Sequence, residues 1–306
     1  MKKILVVFTG GTIACVKTEN VMDTNKEMNY YLLEKYREID RTVEFDTISP
    51  MFILSENLCA KTLVKLATAI DEIDFSQYDG VIVTHGTDTL QYSASYVSLV
   101  CKNITKPVVF VSSNYPLDDP RANGLENFCK AVEFVKNINK FGVFVCYKNK
   151  GENAKIHSPE MLLDYDCFDD NLRSAFDSFL YEYNREFIKK TEYVLPQKHY
   201  PNSLCSSSVV KQKFTPGFSF DNLSDSVKCL VLETYHSGTL KTDTDFFEKL
   251  AKKDIKVVLC GVYGGDIYKS AKGLKSNKNL IISDKAPIYT FVKCWVCIDN
   301  GIDIEF

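Results

Sequence analysis

With 306 residues, 45% of them hydrophobic and 25% charged, the chain has the make-up of an ordinary globular protein rather than a disordered one. Its 37 basic and 40 acidic side chains leave a net charge of −3 with no long block of one sign, so neither nucleic acid nor an anionic membrane is indicated as a partner. No apolar run approaches the roughly 20 residues that cross a bilayer, and the 11 cysteines are scattered and odd in number, which fits reduced thiols in a cytoplasmic protein.

The opening MKKILVVF has the basic start of a signal peptide, but its apolar run is short and meets TGGT, so it reads as a first core strand over 4–8. AKTLVKLATAIDEI (60–73) has helical spacing and leads to a second strand, VIVT (81–84). After Asp88, the residues Leu90, Ala94, Val97 and Cys101 recur at helical intervals. A strand over 108–113, a helix over 122–138 and a strand over 142–147 follow. These strands are apolar on both sides, as in a parallel sheet covered by helices. Repeated units of this kind predict a doubly wound α/β domain over 1–190. The pattern then weakens, and a Pro- and Ser-rich stretch predicts a connection over 191–225. Strands over 229–234, 256–261 and 279–283, a helix near 243–253 and a last amphipathic stretch predict a smaller C-terminal α/β domain over 226–306. Within it, Cys294 and Cys297 form CWVC, a redox-like spacing that in an apolar run reads as core.

Ligands of open α/β sheets sit outside the carboxyl ends of the strands. Two polar small-residue clusters fall there: TGGTIA (9–14) after the first strand and THGTDT (84–89) after a later one. Their glycines let backbone N–H groups approach a ligand closely, which makes Thr12 and Thr87 candidates to flank one pocket. Each cluster alone also has a plainer reading. Asp88 or Thr87 would serve as a helix N-cap, and TGGT as a tight turn. A nucleotide site is poorly supported, since TGGTIAC lacks both the lysine of a phosphate loop and the third glycine of a dinucleotide fingerprint. The four histidines share no metal-ligand spacing, and His85 is expected to order its turn.

FTGGTIA and VTHGTDTL together resemble the two signatures of the bacterial-type L-asparaginase family, more the cytoplasmic type I branch than the periplasmic one. SSNYPLDDPRANGLENFCKAVEFV (112–135) is similar to the family's next segment, and GENAKIH (151–157) to the turn that supplies its catalytic lysine. The resemblance implies that Thr12 is a nucleophile that attacks a side-chain amide and forms a β-aspartyl ester. It implies that Thr87, Asp88 and Lys155 form the proton-handling set, and that Ser55 and Glu56, in LSENL, meet the substrate's α-carboxylate and α-amine. Asp88 also binds the ammonium, Gly11 and Gly86 line the pocket, and Thr89 supports the first turn of its helix. No metal or organic cofactor is implied. The substrate would be a small amino-acid amide, and the assembly a homodimer or homotetramer in which a partner's second domain, here around GVYGGD (261–266), approaches the pocket.

The sequence departs from the family at Glu56, where Gln or Ser is usual, and more consequentially in the loop after the first signature. The family's mobile loop carries a tyrosine about ten residues beyond the nucleophile, whereas here Met22 stands in that position. Asparagine hydrolysis therefore competes with a second expectation, a catalytically weak or inactive amino-acid-binding relative. A third, the catalytic component of a tRNA-dependent amidotransferase, shares the signatures.

Overall fold

The computed structural model describes all residues except 19–20, 25–26, 197, 206–207, 242–245, 247–248, 250–251, 253 and 263–267; of 14–18, 21–24 and 27–29 it describes the backbone only. The chain divides into two units, Met1–Asn202 and Ser203–Phe306.

The first unit is built on an eight-stranded sheet. Five strands run parallel: β1 (Lys2–Phe8), flanked by β4 (Val43–Ile48) on one side and by β5 (Gly80–Thr84), β6 (Pro107–Val111) and β7 (Gly142–Lys148) on the other. β5 and β6 are buried at every position, which is why they read as unbroken apolar runs rather than as alternating ones. Between them, α1 (Glu27–Ile39), α2 (Ala60–Asp71), α3 (Leu90–Val100) and α4 (Gly124–Asn137) supply the crossovers. On the α4 face the core joins Ile82, Val109 and Val111 of the sheet to Phe128, Val132 and Phe134 of the helix. A short hairpin, β2 (Cys15–Thr18) with β3 (Val21–Thr24), precedes α1 and contains Met22 in its backbone register opposite Lys17.

From β1 the chain passes first to β4 and then across to β5, so the strand order reverses between β1 and β5. The crevice at such a reversal is where open sheets bind ligands. Both polar clusters of the sequence follow the strands that border it.

Beyond β7 the sheet continues antiparallel through β8 (Ala154–His157), β9 (Tyr181–Asn184) and β10 (Glu186–Lys189). GENAKIH is therefore not a turn alone: its last four residues are β8.

The second unit carries a separate four-stranded parallel sheet of β11 (Val209–Lys213), β12 (Cys229–Glu233), β13 (Lys256–Cys260) and β14 (Leu280–Ser283), with α5 (Lys269–Ser276) and α6 (Pro287–Asp299). Its first strand lies inside the stretch expected to be a connection. The chain up to Asn202 belongs to the first unit, and VVKQK pairs in parallel with β12. A half-polar edge strand beside a Ser-rich stretch leaves no apolar run to read. The helix expected near 243–253 falls largely outside the described residues, as does most of GVYGGD. Cys294 and Cys297 are fully buried on α6.

Candidate functional site

The turn after β1 is made by two glycines in the left-handed region, Gly10 at φ +99° and Gly11 at φ +78°. A β-carbon on Gly10 would lie 2.3 Å from the Ile53 carbonyl oxygen, so only glycine lets the turn lie against the 51–54 segment. The Gly11 N–H donates to Ile53 O (2.9 Å) and the Ile53 N–H to Thr9 O (3.0 Å), a short parallel ladder that delivers Ser55 to the crevice. Across it, the Thr9 hydroxyl donates to Thr84 O at 2.8 Å, tying the end of β1 to the end of β5.

The two signature turns touch. A β-carbon on Gly11 would meet the Gly86 nitrogen at 2.2 Å, and one on Gly86 would meet Ser55 Oγ at 2.4 Å. Three segments far apart in sequence thus bring Gly11, Thr12, Ser55, Gly86, Thr87 and Asp88 to one crevice. Thr12 begins a single 3-10 turn and is partly buried. Ser55 is buried, its hydroxyl donating to Asp88 Oδ2 at 3.1 Å. Thr89 donates from Oγ1 to the Ser55 carbonyl at 2.8 Å. Its side chain thus clamps the Ser55 segment, and no side chain caps α3, although Thr89 holds the N-cap position. Asp88 is likewise not a helix cap; its carboxylate faces Ser55. Glu56 stands exposed beside it, with no ion pair among the described residues.

His85 orders the turn from within. It is 1% exposed, and its ring lies 2.8 Å from both Gly86 O and Ser93 Oγ. The carbonyl can only accept, so Nδ1 carries the proton and Nε2 accepts from the serine. Burial lowers its pKa to about 4, against smaller upward pulls from the Gly86 carbonyl and Asp88, so the ring is neutral at pH 7.

Lys155 is not brought into this group. Thr84 pairs with Val111, Val111 with Cys146 and Tyr147 with Lys155, so the lysine stands three strands from β5, about 14 Å at about 4.8 Å per strand. Its ammonium donates to Glu152 Oε2 at 2.7 Å, lies 3.9 Å from Asp177 and sits over the Phe179 ring. The pairing holds the Glu152 carboxyl below its usual range. The register and the Glu152 pairing describe where Lys155 stands, and no hydrogen bond or ion pair among the described residues joins it to Thr87 or Asp88. Three residues of lysine context do not reveal that the segment is an antiparallel strand added outside β7. One contributor was not anticipated, the Thr9–Thr84 bond that ties the ends of the two strands bordering the crevice.

Among the described residues no group of three or more His, Cys, Asp or Glu side chains is arranged to hold a metal ion, and no helix is long and apolar enough to cross a membrane.

The family model "Asparaginase, N-terminal" matches residues 3–193. An L-asparaginase of Thermococcus kodakarensis is 27% identical over 252 residues, 77% of this chain and 72% of that relative. A glutamyl-tRNA(Gln) amidotransferase component of Methanosarcina barkeri is 29% identical over 259 residues, 79% of this chain but 60% of that relative. The fold is shared with the crystal structure of L-asparaginase I from Vibrio cholerae, at a TM-score of 0.80 and 20% identity, covering 99% of this chain and 94% of the other.

Proposed function

We propose, from the premise that this chain belongs to the asparaginase family, that it is an amidohydrolase releasing ammonia from the side-chain amide of L-asparagine. One observation supports the reading most. The contact of Gly11, Gly86 and Ser55 gathers a threonine, a serine and a carboxylate around the crevice where the strand order reverses. In this reading Thr12 Oγ bonds to the amide carbon while backbone N–H groups of the two glycine turns donate to the oxygen that becomes negative. The C–N bond then breaks and the amide nitrogen leaves as ammonia with the proton given up by the Thr12 hydroxyl; water next adds to the β-aspartyl ester, the C–Oγ bond breaks, and a water proton returns to Thr12 Oγ. Asp88 anchors the substrate ammonium with Glu56 nearby, Ser55 meets the α-carboxylate, and Thr87 lines the reacting side. No step is assigned to Lys155, and the reaction uses no cofactor. The same proposal has the protein act in the cytoplasm as a homodimer or homotetramer.

A second reading, an amino-acid-binding relative with weak turnover, is favoured by the Glu152–Lys155 pair, which engages the lysine amine, and by Met22 in the position of the family's tyrosine. The amidotransferase relative makes glutamine a substrate to compare. Ammonia release by the purified chain from L-asparagine, L-glutamine and D-asparagine separates these readings. The proposal expects L-asparagine to be fastest. Binding of L-aspartate with no ammonia from any of the three would leave only the second reading.

A further inference from the structure

Ser55 is tied to two successive residues of the 84–89 turn by different parts of itself. Its hydroxyl donates to Asp88 Oδ2 at 3.1 Å. Its carbonyl accepts from Thr89 Oγ1 at 2.8 Å and from the Leu58 N–H at 3.1 Å. The segment that carries it is a single 3-10 turn, Ser55–Asn57, preceded by Leu54, whose side chain cannot cap. So short a turn does not hold its own conformation in water. The position of Ser55 therefore depends on what the turn is bonded to.

The Thr89 hydroxyl is not needed by its own helix. Thr89 occupies the N-cap position of α3, where a threonine ordinarily turns its oxygen onto the helix N–H groups, yet it makes no such bond. Its hydroxyl is directed to Ser55 instead, while its carbonyl accepts from the Ser93 N–H at 3.1 Å. That backbone bond does not depend on the side chain, so α3 still begins at Thr89 when the hydroxyl is removed.

A serine hydroxyl has one proton to donate. In the reading above it goes to the α-carboxylate of the ligand while Asp88 takes the ammonium, so ligand binding breaks the Ser55–Asp88 bond. The Thr89 bond engages the Ser55 carbonyl, which takes no part in that exchange, and persists through it. We propose that Thr89 is a positioning residue that fixes the spacing between the carboxylate and ammonium contacts, and through it the preference for an L over a D ligand. The inference rests on the roles given to Ser55 and Asp88 in the amidohydrolase reading. A chiral centre is told from its mirror image by three fixed contacts, here the side-chain amide, the ammonium and the carboxylate. A D ligand that satisfies two of them needs the third receiving group displaced. A Ser55 turn free to shift supplies that displacement, and one bonded to Thr89 does not.

Thr89→Val tests the assignment, because valine keeps the shape and removes the hydroxyl; Thr89→Ser keeps the hydroxyl and removes the methyl. Calorimetry with L- and D-aspartate is read beside ammonia release from L- and D-asparagine. Loss of one neutral hydrogen bond corresponds to about fivefold in affinity. Thr89→Val should therefore weaken L-aspartate and raise the KM for L-asparagine by about that factor, with kcat within about twofold. D-aspartate should weaken by less than about twofold, and Thr89→Ser should keep the L-to-D ratio within about twofold of the unmodified chain's. An equal loss for both enantiomers, no loss for either, or a serine variant as impaired as the valine one overturns the assignment and leaves the amidohydrolase reading intact. If the unmodified chain binds L-aspartate but releases no ammonia, the amidohydrolase reading fails and the two aspartates still decide the role of Thr89. Binding of neither aspartate by the unmodified chain overturns both.

Discussion

Gly11 and Gly86 lie in direct backbone contact, close enough that a β-carbon on Gly11 would stand 2.2 Å from the Gly86 nitrogen and 2.3 Å from its α-carbon. Neither neighbour is the end of a flexible side chain, so nothing can swing away. Gly11→Ala is expected to lose about 2 kcal/mol or more, combining left-handed strain with overpacking. Gly151 provides the control, with φ +76° and nothing within 4 Å of its would-be β-carbon. Gly151→Ala should cost only about 1 kcal/mol. Denaturant melts of the two variants measure the difference, and equal losses would show that the turns can part without penalty.

Asp88→Asn separates a carboxylate needed for its charge from one needed for its shape. Asn can still accept from Ser55 Oγ, and no cap of α3 is lost, because Asp88 does not cap it. The melting temperature should therefore barely move. A charge-assisted hydrogen bond is worth roughly 1.5–3 kcal/mol, so affinity for L-aspartate should fall about tenfold or more. Calorimetric titration beside a thermal melt reads both. Unchanged affinity would return Asp88 to a purely structural place.

Lys155→Met is expected to leave kcat within a few fold, because the amine is engaged with Glu152 at 2.7 Å on an outer strand. A partly exposed pair of this kind contributes about 1 kcal/mol or less, so the melt should shift only slightly. Loss of turnover with an unchanged melt would mean that the lysine enters the crevice during reaction, as the family resemblance implied.

Acid should weaken the fold through two buried imidazoles. Burial lowers the pKa of His85 to about 4, and burial with the nearby Lys155 lowers that of His157 to about 3. The unfolded chain protonates near 6.5. Above that value both states are neutral and the groups have no influence. As pH falls below it, the unfolded state binds the protons first, so stability is lost until the folded groups also titrate near 4 and 3. Each group contributes a slope of about 1.4 kcal/mol per pH unit within its window. His85→Gln should flatten the denaturant stability profile between pH 6.5 and 4. A profile identical to that of the unmodified chain would show that His85 is not held neutral.

Legibility followed burial. β5 and β6 are buried at every position, so an unbroken apolar run identified each, and the polar clusters beyond β1 and β5 stood out against them. β8 and β11 are four- and five-residue strands with exposed or half-exposed lysines, and nothing in their periodicity separates them from loop. The gathering of Ser55 with Gly86 and Asp88 depends on a ladder between Gly10 and Ile53, a contact that leaves no mark on either segment alone.

Thr12 is proposed as the nucleophile at the crevice between β1 and β5. Thr12→Ala removes the hydroxyl while leaving Gly10, Gly11 and their ladder to Ile53 in place. Steady-state ammonia release from L-asparagine, measured beside L-aspartate affinity, tests it most directly. Turnover is expected to fall on the order of a thousandfold or more, with affinity and melting temperature nearly unchanged. Near-normal turnover in Thr12→Ala would contradict it.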